Sequence, residues 1–383
     1  MKKNIVFLSH TFMGGPFVVG SHHLAKELAK QGHKVLHIST PLTLMHLLKK
    51  DEITSIKKNR YNKLVYYNEN LGDYLPGSLG LPWALSKYFY KFFRINLLTI
   101  GAKNRINKII AKFFLGEEVD YLIIDQPTMQ GLEAIIPTKK IVYRATDIYK
   151  DMFGDNIVNL LERKIVEQAV ALVGTSKPVC DYLKGYTDKK PMLLLENGVD
   201  IDHFAVKYDK PVEFNELKQP VAIYVGALDK RFDCKAINIL AEEFQFVTFV
   251  LIGPANEEVI KGISKRKNVV LLGSRKYEDI PKYLQNSQLA LLPMSNHKSN
   301  VGRSPMKLYE YLASGIPVLC TYSPEIKRRN LKHVLLYKEY DSMKEQFDLL
   351  LKTNYCKKEI YKESQDLSWE GRAKKLVTFL EEI

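Results

Sequence analysis

Residues 304–319 read SPMKLYEYLASGIPVL. Lys307, Leu308, Tyr311 and Leu312 recur at helical spacing, and Ala313-Ser314-Gly315 closes the helix with a glycine suited to a left-handed cap. Pro317-Val318-Leu319 then resumes as an apolar strand. Upstream, Leu289 to Pro293 (LALLP) reads as another buried strand, followed by a polar loop from Met294 to Arg303. A strand thus delivers a loop, and the loop delivers a helix whose first turns carry Lys307 and Glu310. In an open α/β sheet, ligands gather beyond the carboxyl ends of the strands, and helix N-termini attract phosphate. A lysine one turn from a carboxylate suits a nucleoside diphosphate, the cation meeting phosphates and the carboxylate meeting ribose hydroxyls. An ordinary amphipathic helix also carries such a pair, and both readings stand at this point.

Working outward, Pro220 to Gly226 (PVAIYVG) is a strand that ends in glycine and is followed by Asp229-Lys230-Arg231-Phe232-Asp233. Gly226 lies in a strand-to-helix loop, and Lys230 and Arg231 are placed to meet phosphates or an acidic sugar. Phe246 to Gly253 and Asn268 to Leu272 are further strands. The chain closes with Ser368-Trp369 and a terminal helix.

The N-terminal portion has a parallel logic. Asn4 to Ser9 is a buried strand, Gly14-Gly15-Pro16 breaks it, Gly20 to Lys30 is an amphipathic helix, and Lys34 to Ile38 is a second strand. This β-α-β opening lacks the G-x-G-x-x-G fingerprint of dinucleotide sites. Gly14 and Gly15 therefore read as positions where backbone and substrate approach closely. His22 and His23 stand near the helix start, about 100° apart around its axis; one lining a cleft and both serving as surface or capping groups are the open alternatives. Lys140 to Arg144 is a strand opening onto Ala145-Thr146-Asp147. Asp147 falls where catalytic groups collect, and a carboxylate there can take a proton from an attacking hydroxyl. It can equally cap a helix starting near Ile148.

These stretches resemble one enzyme class. The pattern P-x-K-x-x-E-Y/A-x-A-x-G-x-P-V, met here at Pro305, Lys307, Glu310, Tyr311, Ala313, Gly315, Pro317 and Val318, is similar to the donor-site signature of GT-B glycosyltransferases. Asn197-Gly198-Val199-Asp200 with Phe204 resembles their interdomain linker, and Gly20-Ser21-His22-His23 resembles the glucuronosyltransferase of xanthan assembly. The resemblance implies an α/β protein of two Rossmann-like domains facing across a cleft: residues 1–197 for the acceptor, 198–366 for the nucleotide sugar, and a helix at 367–383 crossing back to the first domain. It implies Gly226, Lys230, Arg231, Lys307 and Glu310 as donor-binding residues, with Tyr277 or a backbone amide nearby reading uracil. It also implies Asp147 as catalytic base, with Asp151 in reserve. Many retaining GT-B enzymes place a second Glu eight positions before the one matched by Glu310; position 302 is glycine, which points to inversion.

The formal net charge of +14 implies a polyanionic partner, and residues 1–200 hold 28 Lys and Arg against 19 Asp and Glu. No acidic residue falls in 74–116, where Trp83, Lys87, Lys91, Phe92, Phe93 and Arg94 interleave cations with aromatics. This suits the headgroup layer of an anionic membrane, and a basic face over an aromatic core is the alternative. No nucleic-acid-binding motif is present. Four scattered cysteines have no metal spacing, and no apolar run is long enough to span a bilayer. Asp200-Ile201-Asp202 spells a metal motif of another fold but lies in the linker. The expectation is a cytoplasmic enzyme, peripheral on the inner face of the plasma membrane. It would move a sugar, glucuronate being a candidate, from a UDP-sugar to a lipid-linked glycan without a metal or other cofactor. A nucleotide-sugar epimerase and a non-catalytic accessory subunit of the same fold are the alternatives.

Overall fold

The computed structural model describes residues 2–50, 52–263 and 265–383. The chain divides into two compact units, Met1–Glu196 with Arg372–Ile383, and Asn197–Gly371.

The first unit contains β1 (Asn4–Ser9), β2 (Lys34–Ser39), β3 (Leu42–Thr43), β4 (Leu64–Asn68), β5 (Leu71–Tyr74), β6 (Gly77–Ser78), β7 (Val119–Ile124), β8 (Thr138–Ala145), β9 (Ala171–Gly174) and β10 (Met192–Leu194). Eight of them form one sheet in the order β10-β9-β8-β7-β1-β2-β5-β4, while β3 and β6 pair separately. Only the edge pair β4–β5 is antiparallel in that sheet. The central strand β1 is buried along its whole length, as its apolar run predicts for a parallel sheet covered on both faces. One face packs Val6, Leu8, Leu36 and Ile38 with Ile106, Ile110 and Phe113 of the helix Lys103–Phe113. The last turns of the helix Trp369–Glu382 complete this unit: Tyr121 donates from its hydroxyl to the Leu380 carbonyl at 2.5 Å, and Lys375 Nζ to the Leu194 carbonyl at 2.9 Å.

The second unit contains β11 (Val221–Val225), β12 (Thr248–Ile252), β13 (Val269–Gly273), β14 (Leu289–Leu292), β15 (Val318–Thr321) and β16 (Val334–Tyr337). Their order is β13-β12-β11-β14-β15-β16, and every pairing is parallel. The order reverses between β11 and β14, and this is where a doubly wound sheet opens a crevice for ligands. In the first unit the corresponding reversal lies between β1 and β7. The expected α/β class with two Rossmann-like sheets is what the chain adopts. Trp369 is buried in the second unit, where its N–H donates to the Val199 carbonyl at 3.1 Å.

Among the described residues no helix is long and apolar enough to cross a membrane. The helix Trp83–Phe93 sorts the aromatic and basic residues of that region. Phe92 and Phe93 are 73% and 62% exposed. Lys91 is exposed, and Arg94 forms a left-handed cap at the helix end. Trp83 instead packs against Tyr90, and Lys87 pairs with Asp155 at 2.8 Å. The helical period turns these two inward, away from the outer stripe that contains Phe92.

Candidate active site

In the second unit the elements around the strand-order reversal are held rigidly. The helix Met306–Ala313 follows the loop after β14 and buries Leu308, Tyr309, Tyr311 and Leu312. Gly315, at φ 74°, turns the chain back into β15; a Cβ there would lie 3.1 Å from backbone and side-chain atoms of Lys357. On this helix Lys307 Nζ lies 2.9 Å from Glu310 Oε2, and the Glu310 side chain is 2% exposed against 31% for Lys307. A nearly inaccessible carboxylate is thus covered by one partly accessible ammonium. Ser304, just before the helix, is fixed from two sides: Asn197 donates from its backbone N to Oγ at 3.1 Å and from Nδ2 to the carbonyl at 2.8 Å, and Arg329 donates to Oγ at 3.1 Å.

The loops after β11 and β14 are laced together. Ser295 donates from its backbone N–H to the Arg231 carbonyl at 2.9 Å and from Oγ to the Lys230 carbonyl at 2.7 Å. Asn300 donates to the Arg231 carbonyl at 3.0 Å. The Arg231 guanidinium grips Asp229, with Nε at 2.9 Å from Oδ1 and Nη2 at 2.5 Å from Oδ2. Burial acts to raise Asp229, but the Arg231 hydrogen bonds outweigh it and hold the carboxyl below its ordinary range. Lys230 is exposed. Gly226 accepts no side chain, since a Cβ would lie 2.6 Å from the Tyr224 hydroxyl.

Tyr277 stacks on His203 with ring centroids 4.6 Å apart, and His203 Nε2 lies 3.1 Å from the Tyr277 carbonyl. Burial first, then the carboxylates of Glu310, Asp200 and Glu278, push the phenol well above its usual range. Its hydroxyl therefore stays protonated.

In the first unit a chain of buried polar groups runs along the carboxyl ends of β1, β2 and β5. Ser9 Oγ lies 2.8 Å from Ser21 Oγ, Ser21 Oγ 3.2 Å from His37 Nε2, and His37 Nδ1 2.9 Å from Asp73 Oδ1. Asp73 also accepts from the Met13 backbone N–H at 3.1 Å and from Arg60 Nη2 at 2.5 Å. One carboxylate thereby ties the glycine-bearing loop after β1 to the sheet. Gly14 in that loop is exposed at φ 74°, and a Cβ on Gly15 would lie 2.9 Å from the Phe12 ring. His22 and His23 are both only 3% exposed, so neither is a surface group. His22 Nε2 lies 3.0 Å from the Thr11 carbonyl, and burial followed by His37 holds its ring neutral.

Asp125 and Arg144 form a buried pair at 2.7 Å beside the reversal between β1 and β7. Burial raises the Asp125 carboxyl against the opposing pull of Arg144. Asp147 is half-buried just beyond β8. The helix Tyr149–Phe153 has Ile148 as its N-cap, so Asp147 precedes the capping position by one residue. Tyr149 packs in the same corner, with its hydroxyl 2.8 Å from Thr146 Oγ1 and bonded to the Asp125 carbonyl. Burial, and then the charge on Asp147, push the Tyr149 phenol well up. Among the described residues no group of three or more His, Cys, Asp and Glu is placed to hold a metal ion.

The geometry pairs Lys307 with Glu310 on the helix after β14, with the Glu310 charge acting on Tyr277 beyond β13, and sets Lys230 and Arg231 in the loop after β11. Asp147, Gly14, Gly15, His22 and His23 belong to the first unit. Sequence reading passed over Asp73, His37, Ser21, Asn300 and Arg303. Arg303 Nη1 reaches Asn300 Oδ1 at 3.4 Å and its charge acts on Asp229. Its signal was the arginine directly after Gly302 in a loop leading to Pro305. The Ser–His–Asp chain joins segments far apart in sequence, so no local pattern announced it.

Residues 219–352 match the family model for glycosyl transferases group 1, and residues 7–173 match that for the N-terminal domain of the glucuronosyltransferase GumK. Whole-chain superposition on the sucrose-phosphate synthase of Thermosynechococcus elongatus gives a TM-score of 0.73 at 12% identity, covering 99% of each chain. The chain has the GT-B fold. HepE of Anabaena, solved with UDP and glucose, superimposes with a TM-score of 0.70 at 14% identity over 100% of both chains. At such identities the likeness establishes the fold alone. A protein of Bacillus subtilis (strain 168) named for a teichuronic acid biosynthesis glycosyltransferase, TuaH, is 23% identical over 236 residues, 56% of this GT-B chain. That match spans 58% of the length of TuaH.

Proposed function

We propose that the chain transfers a sugar from a UDP-sugar to a hydroxyl of a lipid-linked, membrane-associated glycan. The observation that carries this reading is the Lys307–Glu310 pair on the helix after β14, where the second sheet reverses its strand order. In that reading Glu310 takes ribose hydroxyls, Lys307 and the laced loop at Lys230–Arg231 meet the diphosphate, and Tyr277 lies toward the base. Negative charge grows on the diphosphate as it departs, so fixed cations there lower the barrier.

The step itself is a displacement. The acceptor oxygen forms a bond to the anomeric carbon, the bond from that carbon to the β-phosphate oxygen breaks, and UDP leaves with the electron pair. Asp147 takes the acceptor's proton, with inversion of configuration. Glycine at position 302, where many retaining GT-B enzymes place a glutamate, supports inversion. Glucuronate is the candidate sugar, supported by the match to the GumK N-terminal domain. UDP as the nucleotide is supported by the HepE complex. A cytoplasmic enzyme, peripheral on the inner membrane face and working without a metal, completes the proposal; the exposed Phe92 and Phe93 support the membrane contact.

The test is thermal unfolding of the purified protein with UDP, GDP, ADP and TDP, each with and without EDTA. Stabilisation by UDP, unchanged by EDTA and absent in Glu310→Ala, is the expected outcome. No stabilisation by any nucleotide would overturn the donor site and favour a non-catalytic accessory role.

A further inference from the structure

Among the described residues, the strand β16 closes one side of the second sheet and pairs only with β15. Val318 donates to the His333 carbonyl at 2.9 Å and Tyr322 to the Tyr337 carbonyl at 2.7 Å. Odd-numbered residues of β16 therefore turn their backbone groups toward β15. The alternate residues, Val334 and Leu336, turn theirs outward. Val334 N–H is used by the Leu331 carbonyl at 3.4 Å, which leaves the Val334 C=O and both backbone groups of Leu336 facing out.

Soluble proteins ordinarily blunt such an edge with a proline, a bulge or a charge on the strand. The sequence of β16, Val-Leu-Leu-Tyr, has no proline or charge, and its pairing with β15 runs in unbroken register. A trough of about 430 Å³ lies along this edge. Its walls include Ile326 and Leu331 from the helix Pro324–Arg328 and the turn after it, and its floor is β16 itself. Two lysines, Lys327 and Lys338, stand among the lining residues, and no carboxylate does. Both are exposed and, among the described residues, neither forms an ion pair; Lys338 Nζ rests 4.5 Å from the centre of the Tyr322 ring.

We propose that this trough is a docking site for an acidic, extended polypeptide segment, which adds to the sheet as a strand along β16. Main-chain hydrogen bonds to Leu336 and Val334 hold the segment, its alternate apolar side chains enter the trough, and its carboxylates meet Lys327 and Lys338. Two copies of this chain meeting edge to edge would instead bring both lysines of each into one trough, so charge favours a different, acidic partner. The inference rests on the second unit alone and holds whether or not the chain transfers sugar.

The probe is a short fluorescein-labelled peptide alternating glutamate and valine, titrated with the full chain and read by fluorescence anisotropy. Three comparisons accompany it: the same peptide with lysine for glutamate, the glutamate peptide N-methylated on alternate amides, and the Lys327→Glu/Lys338→Glu variant. Saturable binding of the acidic peptide is expected, with about tenfold or greater weakening in the double variant. The lysine and N-methylated peptides are expected not to bind, and Leu336 amide exchange should slow in the complex. Equal binding of acidic and basic peptides, or binding of neither, would overturn the proposal. So would a concentration-dependent dimer in light scattering that disappears in Leu336→Pro. The double lysine variant alters only exposed side chains, so the test stands even if Leu336→Pro fails to fold.

Discussion

Replacing Asp73 by alanine tests whether the buried chain Ser9–Ser21–His37–Asp73 organises the first unit. The Asp73 side chain is 0% exposed and accepts from Arg60 at 2.5 Å, His37 at 2.9 Å and Met13 N–H at 3.1 Å. Removing it strands donors that cannot all recover water. Arg60 is 18% exposed and can turn outward, which reduces its share. His37 is 0% exposed and the Met13 side chain is buried, so their donors stay unpaired at about 1–3 kcal/mol each. The expected loss is about 3–5 kcal/mol, the range seen when one partner of a buried ion pair is deleted. In a unit the size of Met1–Glu196 with Arg372–Ile383, about 2–4 °C of Tm follows each kcal/mol, so its transition should fall by about 6–20 °C. Asp73→Asn keeps one acceptor but turns an NH₂ toward a donor, and should fall between the two. Calorimetry of the whole chain is the assay, because the second unit serves as an internal reference. A drop under about 2 °C for Asp73→Ala, or equal drops in both units, would refute the reasoning. Amide exchange at Met13 should rise sharply in the variant.

Glu162 sits 0% exposed beneath Tyr143, Tyr182 and Tyr186, and burial raises its carboxyl from 4.5 to about 6. A carboxyl raised on folding stabilises the fold below its unfolded value and loses that contribution as pH climbs through the folded one. Relative to Glu162→Gln, stability should therefore decline by about 1.5 kcal/mol between pH 4.5 and 6.5, measured by urea unfolding. Gly253 sits at φ 147°, where a Cβ would lie 1.8 Å from the Gly226 carbonyl, so Gly253→Ala should destabilise the second unit by more than about 3 kcal/mol and abolish UDP stabilisation. A well-folded variant that still responds to UDP would contradict that placement. Phe92→Ser with Phe93→Ser should weaken flotation with phosphatidylglycerol vesicles about a hundredfold, at about 1.5 kcal/mol per ring removed from lipid; unchanged flotation would move the membrane contact elsewhere.

The helix Met306–Ala313 was legible because its signals are local. Lys307, Glu310 and Gly315 lie within a few turns of each other, and Gly315 meets a left-handed backbone that the residue type announces. The opening β-α-β of the first unit was legible for the same reason, its period changing from apolar run to helix to apolar run. The antiparallel edge of β4 and β5 was not legible. The β4 residues Tyr66 and Tyr67 are exposed, so no buried alternation marks the strand. The inward turn of Trp83 and Lys87 was likewise hidden, since composition gives a stretch its character but only the helix's packing selects which stripe faces out. Asp73 illustrates the remaining gap, because its three donors come from segments 13, 36 and 60 residues away.

Tyr311 shows how the local and the distant connect around this helix. It occupies the position after Glu310 and is fully buried, and its hydroxyl meets both backbone groups of Val225, accepting from the N–H at 2.9 Å and donating to the carbonyl at 3.2 Å. Val225 is the last residue of β11, directly before Gly226. The helix bearing Lys307 and Glu310 is thereby keyed to the end of the neighbouring strand across the reversal, where the loop of Lys230 and Arg231 begins. Burial raises the Tyr311 phenol well above its usual range, so the contact stays a neutral hydrogen bond. Phenylalanine would fill the same volume but leave the Val225 N–H without its acceptor inside the core. The tyrosine beside the glutamate in this chain thus has a geometric role: its hydroxyl ties the helix of the charge pair to the end of β11, while glycine at 315 lets the chain return.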